Sequence, residues 1–150
     1  MSQPHEQEQR RRWLAVLARA ATDQLEICWA EAGQPAVTLL RQPETGLVMA
    51  RGRAGGTGQR FNLGEITVTR CAVQSADGHI GHGYVAGRDR RKAELVASFD
   101  ALLQAPDRRA ALIEQVVEPL AAAQTSAKAQ QARKAAATRV EFFTLVRGDG

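Results

Sequence analysis

The stretch of this sequence best equipped to hold a ligand is Arg51-Gly-Arg-Ala-Gly-Gly-Thr-Gly-Gln-Arg60, in which four glycines fall within seven residues. Backbone N–H groups of such a run can form an anion-cradling nest, and Arg51, Arg53 and Arg60 flank it with no acidic residue between them. A phosphate or phosphonate is the natural guest of that chemistry. The run is not a nucleotide loop, because no Gly-Lys-Ser or Gly-Lys-Thr follows and the dinucleotide Gly-x-Gly-x-x-Gly pattern opening a helix is absent. Its plainer use is a tight turn or a surface loop that orders on a partner. Arg51, Arg53, Gly55, Gly56, Gly58 and Arg60 are the candidate anion-binding or partner-interface residues.

Other chemistry has less support. His79 and His82 suggest a metal, with Cys71 or Asp77 beside them, but strand positions three apart point to opposite faces, so no metal site is expected. His82 reads as a hydrogen-bonded core or interface histidine. Arg88-Asp-Arg-Arg-Lys92 puts cations at a helix start, which the macrodipole disfavours unless an anion compensates, with Asp89 as the expected cap. Ser75, Ser98 and Ser126 lie in no Gly-x-Ser-x-Gly elbow, and neither Cys28 nor Cys71 has a catalytic context. No catalytic residue and no cofactor are expected of the chain alone.

The elements that must position these residues follow from periodicity. Trp13, Val16, Leu17 and Ala20 mark an amphipathic helix from Glu6 to Ala21, with residues 1–9 as a flexible lead-in. Asp23 and Glu26 suit a capping box opening a second helix, which Gly33 and Pro35 stop. Ala36–Leu40 and Gly46–Ala50 read as a hairpin or neighbouring strands around the turn Gln42-Pro43-Glu44. Phe61–Ala76 and His79–Ala86 read as a hairpin closed by Asp77-Gly78. That two-residue turn pairs Cys71 with Tyr84 and Val73 with His82, and puts Cys71, Val73, Ile80, His82 and Tyr84 on one face. The apolar parity reverses between Leu63 and Ile66, which a bulge near Gly64 would reconcile. Leu95, Phe99, Leu102 and Leu103 form one helical face; Pro106 opens another helix, and Pro119 should break or restart it. Residues 121–138 are alanine-rich, a helix with no large apolar residue to bury. Arg139–Arg147, β-rich and aromatic, reads as a final strand.

The expected class is α+β: a mainly antiparallel sheet packed against helices, with N-terminal helices and an alanine-rich helix before a C-terminal strand. With 150 residues, 44% of them hydrophobic, the chain can build a core without disulfides or a structural metal, so it is expected to fold as a single domain over 1–150. No opening apolar segment and no run of about 20 apolar residues occurs, so a cytoplasmic chain with free thiols and no membrane contact is expected. A net charge of +4 favours anionic partners. Nucleic acid is disfavoured, since the second helix shows Glu26 and Glu31 where a recognition helix shows cations or amides.

Glu44-Thr-Gly-Leu-Val48, Arg53-Ala-Gly-Gly-Thr-Gly-Gln-Arg-Phe61, Gly64-Glu65, Thr69-Arg70, Asp77-Gly78, Gly87-Arg88-Asp89 and the ending Arg139-Val-Glu-Phe-Phe-Thr-Leu-Val-Arg-Gly-Asp149 occur in this order. Together they resemble PhnG, a subunit family of the bacterial carbon-phosphorus lyase core complex, from the Trp13 helix to the C-terminus. The resemblance implies a cytoplasmic protein assembled with PhnH, PhnI and PhnJ in a two-fold hetero-oligomer. It also implies a part, with PhnH, PhnI and PhnL, in making α-D-ribose 1-methylphosphonate 5-triphosphate from ATP and methylphosphonate with release of adenine. In that family PhnI is regarded as the nucleosidase and PhnJ as the radical enzyme; this chain has no cysteine triad for an iron-sulfur cluster. The alternatives are a purely structural adaptor without substrate contact and a basic nucleic-acid binder.

Overall fold

A computed structural model describes the backbone of residues 4–53 and 60–148 and the side chains of 4–50 and 64–139. The elements in order are α1 (Pro4–Arg19), α2 (Thr22–Glu31), β1 (Val37–Arg53), β2 (Arg60–Ser75), β3 (Ile80–Ala86), α3 (Arg90–Leu103), α4 (Pro106–Leu112) and α5 (Glu118–Gly148). The three strands form one antiparallel sheet in the order β1-β2-β3. The class is α+β as expected, but the terminal strand is not there: residues 139–148 continue α5. Propensity favours a strand over Arg139–Arg147, yet a helix already running adds residues without a new nucleation cost. Residues 4–9, expected to be loose, are helical from Pro4.

α3 is the centre of the core. Ala93, Leu95, Val96, Ala97, Phe99, Leu102 and Leu103 are all buried, because the sheet lies on one side of α3 while α1 and α2 pack on others. Trp29 of α2 meets Phe99 edge-on, with ring centroids 5.1 Å apart. On the sheet side the approach is close enough to require glycine. A Cβ on Gly81 would lie 2.0 Å from the Ala97 carbonyl oxygen, and one on Gly83 would lie 2.0 Å from that of Ala93. Glycine on the strand and alanine on the helix therefore set the sheet-to-helix distance.

Asp100 ties three elements together from this core. Its Oδ1 accepts from Arg10 Nε at 3.1 Å and Trp13 Nε1 at 2.9 Å. Its Oδ2 accepts from Arg10 Nη2 at 2.8 Å and the His82 backbone N–H at 2.9 Å. A fully buried carboxylate is tolerable only with such partners. Gln104 Nε2 donates to Ile80 O at 2.6 Å, so side chains from α3 and its C-terminus cover part of the free edge of β3.

Several local expectations are corrected. The β2–β3 connection has three loop residues, Ala76–Gly78, closed by Ser75 N–H donating to His79 O at 2.9 Å, with Gly78 at φ +93°. The register is therefore Cys71 opposite Gly83, Ala72 opposite His82 and Arg70 opposite Tyr84. One residue of slip sends alternate side chains to the other face. Cys71 and Val73 are buried with Gly81, Gly83 and Val85, whereas Ile80, His82 and Tyr84 are exposed on the opposite face. His82 is thus not a core residue. The stretch around Pro43 is not a turn: β1 runs through it, with register slips between Leu39 and Arg41 and between Arg41 and Glu44. An edge strand tolerates proline at such a bulge because its outer N–H has no ladder partner. The bulge expected near Gly64 is present, as Ala50 pairs with Gly64 but Arg51 with Asn62, and Gly64 has φ +131°.

Helix signals fare similarly. α2 ends in Gly33 at φ +89°, with Gly33 N–H donating to Ala30 O and Gln34 N–H to Trp29 O. The Asp23–Glu26 capping box does not form. Asp23 accepts from Gln24 N–H, and Glu26 instead takes Arg91 of α3 at 2.8 Å. Between α4 and α5, Ile113–Val117 makes a π-helical turn in which Glu118 N–H donates to Ile113 O. This wider turn directly precedes Pro119, so the helix passes the proline instead of stopping.

Candidate functional site

β2 pairs with β3 only from Val68 to Gln74, whereas its pairing with β1 continues to Arg53 opposite Arg60. Beyond Val68 the two strands therefore run on as a two-stranded arm. Seven residues of β1 past Gly46 extend it by about 23 Å at strand rise. The root of the arm is fixed by Thr69, which is fully buried. Its Oγ1 lies 2.9 Å from Thr45 Oγ1 and donates to Gly87 O at 2.8 Å, while Gly87 N–H donates to Thr67 O at 2.8 Å. These bonds join both strands of the arm to the corner between β3 and α3. Along the arm Leu47, Met49 and Ile66 are exposed, large apolar side chains without cover.

The residues singled out for anion binding belong to this arm. Arg51 and Arg53 close β1 and Arg60 opens β2, so the backbones of Arg53 and Arg60 are direct partners in the final rung. The strands thus take in both ends of the Arg51–Arg60 run. Gly55, Gly56 and Gly58 lie outside the described residues.

The root of the arm opens onto the sheet face away from α3. Glu44, Arg70 and Tyr84 form one row across the three strands, with Arg70 Nη2 3.6 Å from Glu44 Oε2. A depression of about 230 Å³ lies beside this row, lined by Gly46, Val48 and the three row residues. A wider, shallower one of about 590 Å³ adjoins it over Arg41, Ala72 and His82.

The other candidates are accounted for by structure. Asp89 caps α3, accepting from Lys92 N–H at 2.9 Å and from Thr22 Oγ1. The Thr22 hydroxyl, then the Lys92 N–H, hold its carboxyl below the ordinary carboxylate value. With Glu26 on Arg91, the basic start of α3 has its compensating anions within the fold. His79 sits in the turn, its Nδ1 3.4 Å from Asp77 Oδ2, and does not share a face with His82. Among the described residues no three His, Cys, Asp or Glu side chains are grouped to hold a metal ion. Ser75, Asp77 and His79 do meet, but the Ser75 hydroxyl donates to Asp77 Oδ1 at 2.5 Å and accepts from the His79 backbone N–H. No imidazole takes the hydroxyl proton, so the trio braces a turn and makes no nucleophile. That hydroxyl is the main reason the Asp77 carboxyl lies below its usual range. Cys28 and Cys71 are free thiols. Burial, then Glu94, pushes Cys71 up to about 11, so it is protonated and unreactive at neutral pH.

The last feature is α5. It is rooted by Arg12, whose two guanidinium ends reach Glu118 at 2.6 and 3.1 Å, and by Gln124 Nε2 donating to Val16 O at 2.8 Å. From Thr125 to Arg139 every residue is exposed, and the charged ones, Lys128, Arg133, Lys134 and Arg139, are all cations. At 1.5 Å per residue the 31 residues of α5 span about 46 Å. The exposed stretch of α5 from 125 to 139 and the uncovered Leu47, Met49 and Ile66 of the arm are surfaces shaped for other chains. Among the described residues no helix is long and apolar enough to cross a membrane.

Residues 8–148 match the family described as "Phosphonate metabolism protein PhnG". The chain belongs to the PhnG family. A curated relative from Rhizobium meliloti (strain 1021), "Alpha-D-ribose 1-methylphosphonate 5-triphosphate synthase subunit PhnG", is 46% identical over 142 residues, covering 94% of this chain and 90% of the relative. The resemblance drawn from the motifs is therefore correct, and the match takes in the arm, the open sheet face and α5 alike.

Proposed function

We propose that the chain is an accessory subunit of the synthase that forms α-D-ribose 1-methylphosphonate 5-triphosphate from ATP and methylphosphonate with release of adenine. It works in the cytoplasm with PhnH, PhnI and PhnL, and assembles with PhnH, PhnI and PhnJ in a two-fold hetero-oligomer. The observation that carries this reading is the near full-length identity to a synthase subunit. The fold supports it: α3 already has its buried core, while Leu47, Met49 and Ile66 of the arm and 15 residues of α5 (125–139) are exposed.

Arg51, Arg53 and Arg60, with the glycines Gly55, Gly56 and Gly58 between them, supply cations and backbone N–H groups to a phosphorylated substrate or support the partner's active site. The decisive comparison is ATP-dependent adenine release by the assembled complex carrying the chain with Arg53→Ala and Arg60→Ala. Lower release with assembly intact supports this role. Lost assembly makes the arm end an interface element, the adaptor reading, and unchanged release removes these arginines from the mechanism.

A further inference from the structure

The sheet face turned away from α3 has an unusual composition for a surface. Antiparallel sheets with one solvated face normally alternate apolar inward and polar outward. Here Leu40, Ile80 and Tyr84 are 50, 43 and 55% exposed on that face, and Arg41, Arg70 and His82 stand among them. The register explains the shape. Arg41, Ala72 and His82 form one row across β1, β2 and β3, directly beside the row Glu44, Arg70, Tyr84. The middle position of the first row is a methyl group, so the surface dips there between two nitrogen-bearing side chains about 10 Å apart, two strand spacings. The slip between Leu39 and Arg41 leaves Leu40 as an extra residue, and both Leu40 and Arg41 line the depression. A carboxylate seated over Ala72 would have Arg41, His82 and Arg70 on three sides, and apolar neighbours of that carboxylate would lie on Leu40, Ile80 and Tyr84.

We propose that this face docks a segment of a partner subunit in which carboxylate side chains are flanked by apolar ones, with the acidic group over Ala72 and Tyr84 as the anchor. The proposal rests on the subunit reading above and names a second surface, separate from the arm end. An exposed tyrosine beside arginines on an apolar floor is the composition of an interface centre. A second copy of the chain is the poorer occupant, because a two-fold contact would bring together two faces that each carry Arg41 and Arg70 against the single acid Glu44, a like net charge on both sides. The face is also only about 14 Å by 23 Å by strand spacing and rise, well under the roughly 800 Å² per partner of a standard interface. It is continuous with the arm root, so a partner covering both reaches that size. An inorganic anion is disfavoured as well, since it would leave the apolar side chains in water.

The test is co-expression with the partner subunits named above, comparing the wild-type chain, Tyr84→Ala and the double variant Arg41→Glu with Arg70→Glu, at low and high salt. All three side chains are exposed, so free Tyr84→Ala should unfold as wild type does, while the charge reversal, which sets a carboxylate opposite Glu44, should melt slightly lower and remain folded. Tyr84→Ala should weaken association by about 30-fold or more, and the charge reversal should remove the chain from the complex at low salt, where electrostatic contact is strongest. Variants that co-elute like wild type overturn the proposal and leave the subunit reading standing. A wild-type chain that enters no complex sinks both. Self-association of the free chain that Tyr84→Ala abolishes gives the face to a second copy. Shifts of the Ala72 and His82 amide signals on adding inorganic phosphate to the free chain give it to a small anion. Either of these results also overturns the proposal.

Discussion

Replacing Asp100 by Asn changes no volume and should nevertheless be costly. Each carboxylate oxygen accepts two hydrogen bonds, Oδ1 from Arg10 Nε and Trp13 Nε1 and Oδ2 from Arg10 Nη2 and the His82 N–H. All four neighbours are donors. An asparagine amide offers one oxygen and one NH2 group, so either orientation sets the NH2 against two donors and leaves one guanidinium N–H and one neutral N–H without an acceptor. An unsatisfied buried donor costs roughly 1–3 kcal/mol, and a charge-assisted bond contributes about 1.5–3 kcal/mol. The second figure must be discounted, because the Arg10 side chain is 37% exposed and its freed N–H can turn to water. The sum is about 2–4 kcal/mol, which for a chain of this size lowers the melting temperature by roughly 5–15 °C. Urea unfolding followed by the fluorescence of Trp13 and Trp29 reads the difference directly. In an Arg10→Met background the same substitution should cost about 1 kcal/mol less, the share belonging to Arg10. An Asp100→Asn protein within about 0.5 kcal/mol of wild type would refute the claim that this carboxylate holds α1, α3 and β3 together.

Three further outcomes follow. Gly83→Ala should destabilise by about 1–3 kcal/mol or more in the same urea assay, because its methyl would meet the Ala93 carbonyl; Gly46→Ala, with open space around it, should stay within about 0.5 kcal/mol. Asp89 is held below its ordinary 3.8 by the Thr22 hydroxyl and the Lys92 N–H, so its contribution is complete above about pH 4 and disappears as pH falls through the lower folded value. Asp89→Asn keeps a good cap without a titrating group and should flatten that acid limb of stability against pH; an unchanged limb argues that Asp89 is not the source. Arg53→Ala with Arg60→Ala should lower adenine release by the assembled synthase while the free chain unfolds as wild type does.

How much of this was readable from sequence depends on the range of the forces involved. Elements set by local pattern were legible: the Gly33 and Asp89 helix ends, Pro106 opening α4, and the Gly64 bulge betrayed by a change of parity. The β3 register was missed by one residue, because Asp77-Gly78 suits both a two-residue turn and the end of a three-residue one, and only packing against α3 decides. Glycines at 81 and 83 and alanines at 93, 97 and 101 carried that information as a pair of spacings, two on a strand and four on a helix. Pro43 looked like a turn because its strand partner is some 30 residues away and invisible to a local window. Asp100 stands out as the one charged residue between Leu95 and Leu103, yet its partners Arg10 and Trp13 are about 90 residues distant, so its role could not be read. The candidate arginines were found by composition; that Arg53 and Arg60 end an arm was not, since it depends on β2 outrunning β3.

The central claim is that this chain works as a subunit. Its most direct test is co-expression with PhnH, PhnI and PhnJ, followed by size-exclusion chromatography and native mass measurement. The account predicts one stoichiometric, two-fold complex that contains the chain, with α5 and the arm protected from proteolysis relative to the free protein. If the chain elutes alone beside an otherwise assembled complex, the subunit reading is contradicted.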